Sequence, residues 1–334
     1  MGNKYVRGNP FKLEQGKLIP LTLLNTLENS KVNMYDWKDV QEKYANEHLI
    51  NETLRDYYIE KFYDARQISL ESIQLISLNI KLIHNWAIYK QVYKFDVDWA
   101  KYLCEEFDTE RKLHLEVLYD KLPFHSFFID NEFQYIGRKF DGIFVDLGYE
   151  TTYPWGTNYP TLTICFVTDD EEFTTSWTSI PLMPNMSVDE IFKLLNENYN
   201  YLVDNVKGHT ILTSTALALL FYLCADNKDF EVRKGNSPKE NYEIKKTAKK
   251  GIKQASIGMR LGNTIRENKV RYVYESNEHN KGSKKSPHIR GGHYHHFWTG
   301  KRDGSEERKL IMHYIEPTFI GGKVDSVTVH KVRK

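Results

Sequence analysis

Between residues 35 and 120 apolar side chains return every three or four positions: Trp37, Val40 and Tyr44, then Leu54, Tyr57, Tyr58 and Phe62, then Ile73, Ile76, Ile80 and Ile83. That spacing lines one face of a 3.6-residue helix and predicts several amphipathic helices. Ser69, followed by Glu71 and Ser72, marks one helix start. Asp96 ahead of Val97 and Trp99 marks another, which is predicted to run to about Leu122, where Pro123 stops the pattern.

From residue 124 the chain changes to aromatic and β-branched runs separated by turn residues: FHSFFID, FQYIG, FDGIFVDLGYE, TLTICFVTDD and FTTSWTSIPL. These runs predict a meander of antiparallel strands. Ser187 with Glu190 three positions on is a capping pattern that opens the helix DEIFKLLNENYNYLV. The stretch 209–225, HTILTSTALALLFYLCA, is apolar on all sides and is predicted to be a buried central helix. A charged connection at 226–250 leads to the segment KQASIGMRLGNTIR at 253–266 and a Lys- and Ser-rich loop at 277–287. A hairpin follows, with IRGGHYHHFWTG and RKLIMHYIEPTFIGG as its arms. The expected fold class is α+β. A helical region, 1–122, packs on a mixed, mainly antiparallel sheet body, 123–334, which carries the buried helix and the C-terminal β-hairpin.

Charge adds what periodicity does not show. The 334-residue chain has a formal net charge of +1, yet residues 1–233 carry 23 basic and 35 acidic side chains, while 234–302 carry 17 and 5. A basic part on an acidic body points to a polyanionic partner such as RNA; the simpler alternative is that the two parts attract each other in the fold. The three cysteines lie far apart without a CxxC pair, which argues against a disulfide framework or a cysteine zinc site. The N-terminal residues lack an apolar run of signal-peptide length, and the apolar stretch at 211–225 is too short and too polar-flanked to cross a bilayer. The expectation is a soluble cytoplasmic protein with no membrane partner. No Walker, Rossmann, nucleophile-elbow or HExxH pattern is present, so nucleotide hydrolysis, hydride transfer and zinc proteolysis are disfavoured and no cofactor is expected.

Candidate chemistry concentrates in SPHIRGGHYHHFWTGKR, which holds His288, Arg290, His293, His295, His296, Trp298, Lys301 and Arg302. On a strand His293 and His295 share one face, with Tyr294 and His296 on the other. Three readings stay open. His293 and His295 could ligate zinc with His288 or His313 as a third ligand. Alternatively, His293 or His295 could move a proton while Arg290 steadies developing phosphorane charge, as in a metal-independent ribonuclease. In the third reading the cluster binds without cutting: cations on phosphates, rings for stacking, and Gly291 and Gly292 allowing close backbone approach. Packing of rings on a pleated sheet is the alternative to all three.

The run HIRGGHYHHFWTGKRDGSEERKLIMHYIEPTFIGG resembles the C-terminal signature of the family that includes the large type V-A anti-CRISPR protein. Two further stretches resemble the same family: ALLFYLCADNKDF, its buried helix with a following acidic loop, and IGMRLGNTIR, its Gly- and Arg-containing segment. The resemblance covers 209–322. It implies recognition of the N-terminal polypeptide of a type V-A Cas effector as it leaves the ribosome, coupled to loss of the effector's mRNA; with it, the charge asymmetry is read as the basic C-terminal part approaching RNA or the ribosome, while another surface holds the peptide. It also raises Arg260 and Arg266 as phosphate or carboxylate contacts, although six residues apart they do not stack on one helix face. A peptide reader needs an exposed sheet edge or an apolar groove, which the strands of 124–182 and the loop around Tyr153, Trp155 and Tyr159 could supply. A ribonuclease or a plain nucleic-acid-binding protein of a mobile element is the alternative function.

Overall fold

The computed structural model of the protein describes residues 18–29, 81–107, 113–135, 138–149, 159–167, 176–184, 186–199, 206–232, 251–278, 288–301 and 309–320. The predicted helices of 35–80, with the Ser69 start, and the aromatic positions Tyr153 and Trp155 lie outside these residues.

Helix α1 (Ile19–Asn29) buries Ile19, Leu23 and Leu24. Helix α2 occupies 81–89 and buries Leu82, Ile83 and Trp86. It runs directly into strand β1 (Gln91–Phe95), with the Trp86 indole N–H donating to the Gln91 carbonyl at 2.9 Å. Then come α3 (Val97–Glu105), α4 (Glu116–Lys121), β2 (Ser126–Ile129), the short hairpin β3 (Phe133–Tyr135) and β4 (Arg138–Phe140), β5 (Gly142–Tyr149), β6 (Pro160–Val167) and β7 (Ser176–Pro181). Helices α5 (Val188–Tyr199) and α6 (Val206–Cys224) precede β8 (Phe230–Val232), β9 (Lys253–Ile257) and α7 (Met259–Glu278).

Seven strands form one sheet in the order β7-β6-β5-β2-β1-β9-β8. Strand β1 runs parallel to both of its neighbours, β2 and β9, and the other four pairings are antiparallel. The expected α+β class with a mixed, mainly antiparallel sheet is what the chain adopts, and the meander β2, β5, β6, β7 follows the aromatic runs. Strand β1 was not expected. Five residues, four of them buried, leave too short an alternation to stand out from the helical pattern around them.

Alternation sends Tyr93, Phe127, Ile129, Val145, Leu162, Ile164 and Phe166 to the main core, where they meet α6. From Ala216 to Ala225 that helix is buried on every side, as its all-round apolar sequence requires. Among the described residues no helix is long and apolar enough to cross a membrane. The opposite sheet face carries a polar row in register, Ser126, Asp146, Thr163 and Ser179, all buried. Helix α2 covers this row, its Asn85 amide donating to both Asp146 carboxylate oxygens at 3.0 and 3.1 Å.

Two helix starts fall where the sequence puts them. The Asp96 carboxylate accepts from the Asp98 and Trp99 amides at 3.1 and 3.2 Å, and the Glu190 carboxylate accepts from the Ser187 amide at 2.8 Å. The helix opened by Asp96 does not continue to Leu122. It ends at Glu105, because Leu113 and Leu115 are buried on either side of His114, which leaves helical pairing to bridge Ser187.

Candidate functional site: a clamped C-terminal ribbon

The C-terminal hairpin contains β10 (His288–Arg290), β11 (His293–Thr299), β12 (Lys309–Ile315) and β13 (Thr318–Ile320). Pairings run from His288↔Ile320 and Arg290↔Thr318 to His293↔Ile315 and Thr299↔Lys309 without a change of register. The four strands are therefore two arms of one ribbon, interrupted where Gly291 and Gly292 face Glu316 and Pro317. A side chain at Gly292 would run into the Tyr314 hydroxyl and come within 3.0 Å of the Ile315 carbonyl, so only glycine fits there unstrained. The Gly292 amide donates instead to the Tyr102 hydroxyl at 2.8 Å.

One side of the ribbon faces the body. Tyr294 donates its hydroxyl to the Ala218 carbonyl of α6 at 3.0 Å and meets Tyr314 edge-on at 4.9 Å between ring centres. Tyr314 in turn touches Tyr222 and Trp99. Burial in this aromatic cluster pushes the Tyr294 hydroxyl well above its ordinary pKa, so it stays a donor.

The acidic loop after α6 holds the far edge of β12. The Asp226 amide donates to the Met312 carbonyl at 2.9 Å, and the Asp226 carboxylate accepts from the Met312 amide at 3.1 Å. Asn227 repeats the arrangement with its side chain alone, accepting from the Tyr314 amide at 2.9 Å and donating to its carbonyl at 2.8 Å. Loop and strand thus pair as a strand edge would, which protects β12 from other pairing. Lys121 donates to Asp226 at 2.9 Å. Three residues after Asp226, the Asp229 carboxylate caps α7 by accepting from the Arg260 amide at 2.9 Å.

Arg260 and Arg266 sit on α7 and both are engaged inside the chain. Arg260 pairs with Glu316 at 2.5 Å, tying α7 to the bend of the ribbon. Arg266 donates to both Asp96 oxygens at 3.0 and 2.9 Å and to Asp98 at 2.8 Å, and these carboxylates raise its pKa. Gly262 leaves the space that the Asp96 carboxylate fills, and Gly258, at φ +73°, leaves room for the Trp99 indole. The three stretches noted in the sequence therefore meet: hairpin, acidic loop and Gly/Arg segment form one mount.

The histidines divide by strand alternation as expected. His295 is exposed and lies directly across from His313. His293 is half-buried in a shallow cleft with Glu106, Phe107, Leu113 and Tyr314. His296 points inward, where its Nε2, like Nδ1 of His114, is buried without a hydrogen-bond partner. Burial, then the neighbouring His114, lowers the His296 pKa. Arg290, Trp298 and Lys301 are exposed, the backbone of His288 pairs with Ile320, and Arg302 lies outside the described residues. Among the described residues no three His, Cys, Asp or Glu side chains come together as a metal site. The cations and histidines stand out in the sequence, but Asp226, Asn227 and Glu316 do not. Their only signal is a short acidic run, and nothing in it indicates pairing with a strand 86 or 87 residues later.

Fold and mount define an α+β protein whose C-terminal β-ribbon is held rigidly from three sides. The AcrVA2-like family model, described as the Anti-CRISPR type V subtype A2 family, matches residues 93–322, and the chain belongs to this family. The match runs from the central strand to the end of the ribbon, so it includes every element of the mount. Membership makes the protein an anti-CRISPR of the type V-A class. Among solved structures it is similar to a crystal structure of AcrVA2, at 16% identity and a TM-score of 0.47, over 86% of this chain and 98% of that one. No curated protein matches the sequence.

Proposed function

We propose that the protein blocks production of a type V-A Cas effector by binding the effector's N-terminal polypeptide as it emerges from the ribosome, which leads to loss of the effector's mRNA. Family membership over residues 93–322 is the observation that carries this reading. The fold supports it with strand β7, which among the described residues ends the seven-stranded sheet, an edge of the kind that extended peptides join. A second reading, direct RNA cleavage, draws on one feature: two imidazoles, His295 and His313, face each other across the ribbon and could act as acid and base.

Titrating a synthetic N-terminal peptide of the cognate effector against the purified protein by calorimetry tests the first reading. Saturable binding that a scrambled peptide does not show is expected; equal behaviour of the two peptides would remove it. Incubating end-labelled RNA with the protein in EDTA tests the second, which requires cleavage that disappears in His295→Ala.

A further inference from the structure

The ribbon has a second side. Tyr294, Met312 and Tyr314 point to the body, so His295 and Phe297 on β11 and Ile311, His313 and Ile315 on β12 point away from it, with His293 at the same alternation but half-buried in the cleft at the base. Cross-strand pairing places His293 beside Ile315, His295 beside His313 and Phe297 beside Ile311. Phe297 lies 5.9 Å from His295 and stands perpendicular to His313 at 5.0 Å between ring centres. His295 is exposed and Ile315 is 43% exposed, so this is an open surface with aromatic rings and aliphatic side chains but no enclosed groove.

The paired strands carry cations and no acid. No Asp or Glu occurs in the strand segments 288–301 or 309–315, while Arg290 lies exposed at one end of the arm and Lys301 at the other; the connection between the arms carries Asp303, Glu306 and Glu307 together with Arg302 and Arg308. Glu316, the first acidic residue after β12, is already paired with Arg260. At the base Glu106 lies beside Gly291 and lines the cleft that holds His293, so the open part of the face begins at His295. A strand pair with rings on its outer face, no carboxylate within the paired strands and cations at its ends has the features by which sheet surfaces stack unpaired bases and hold the phosphates between them.

We infer that the outer face of the ribbon is a platform for single-stranded nucleic acid, with bases stacking on Phe297, His295 and His313 and the backbone running between Arg290 and Lys301. The clamps described above give this platform its stiffness: β12 cannot slide while Asp226 and Asn227 hold it, and Arg260 fixes the bend. The platform is separate from the β7 edge and stands whether or not the nascent polypeptide is bound there.

The test is fluorescence anisotropy of a fluorescein-labelled fifteen-nucleotide oligo(U) with the full-length protein. Wild type is expected to bind, and Phe297→Ala with His313→Ala to weaken binding by about fivefold or more, since each lost stack removes a substantial share of the affinity. Phe297→Tyr, which keeps a ring, should bind like wild type, whereas Phe297→Leu, apolar but ringless, should fall between wild type and the double alanine variant with an unchanged melting temperature. Absence of oligo(U) binding by wild type, or equal binding by Phe297→Leu and wild type, would overturn the platform. So would displacement of oligo(U) by the effector peptide, which would make the peptide the occupant of this face. Peptide binding without RNA binding refutes the platform alone, and RNA binding without peptide binding refutes the nascent-chain reading alone.

Discussion

Replacing Asp226 by Ala removes the side-chain half of the contact between the acidic loop and β12. The Met312 amide loses its carboxylate acceptor, and with Met312 fully buried it is left poorly solvated. An unpaired buried amide costs about 1–3 kcal/mol. The ion pair with Lys121 is partly exposed, 22% on the lysine and 41% on the aspartate, and adds about 0.5 kcal/mol at most. Two backbone-edge contacts survive, the Asp226 amide to Met312 and the Asn227 pair to Tyr314, so the ribbon should loosen locally while the sheet stays folded. A local loss of about 2 kcal/mol corresponds to roughly thirtyfold faster opening. Hydrogen exchange read by mass spectrometry on peptides from 309–315 should show that acceleration, with peptides from β5 and β6 unchanged. Asp226→Asn keeps a carbonyl acceptor for the Met312 amide and should recover most of the protection. Unaltered exchange at 309–315 in Asp226→Ala would refute the reasoning that this loop holds the ribbon.

Other consequences are as direct. Gly292→Ala forces a methyl group into the Tyr314 hydroxyl and should cost about 1–3 kcal/mol, measured as a lower urea midpoint with weakened near-ultraviolet dichroism from the aromatic cluster. Arg266→Lys keeps the charge but loses the two-pronged contact with Asp96; the arginine is 41% exposed and the aspartate 6%, so the loss should be held to about 1 kcal/mol in chemical denaturation. His84 and His296 are both depressed below 6.5 by burial, so the unfolded chain takes up protons on them before the folded one does. Their contribution is fully present above pH 6.5 and declines as pH falls from there towards the folded values. A His296→Leu variant should therefore show a flatter stability profile between pH 7 and 5 than wild type; identical slopes would contradict the assignment.

Much of the fold was legible because its local signals agree with its packing. The alternation of FDGIFVDLGYE and TLTICFVTDD became β5 and β6, and the all-round apolar ALALLFYLCA became the helix at the centre of the core. The Asp96 and Ser187 starts were readable since a cap is decided by a few neighbouring residues. Strand β1 was hidden because its partners lie more than thirty and more than a hundred and fifty residues away, at Phe128 and Gln254. At the ribbon, alternation put His293 and His295 away from the inward-facing pair Tyr294 and His296. The part that escaped was the use of the charges. Arg260 and Arg266 look like ligands for an external anion in a linear sequence, and in the fold their partners are Glu316, Asp96 and Asp98. Charge complementarity between distant segments leaves no local trace, so a cation that serves the mount and one that serves a partner look alike until the chain is folded.

The central claim, that the protein acts through the effector's nascent polypeptide, is tested most directly with paired reporter transcripts in cells producing the protein. One transcript encodes the effector's N-terminal segment in frame; the other carries the same nucleotides with compensating single-base shifts, so that nearly the same RNA encodes a different peptide. Quantitative measurement of both mRNAs should show loss of the in-frame transcript only. Equal loss of the two would mean that RNA sequence, and not the emerging peptide, is what the protein reads.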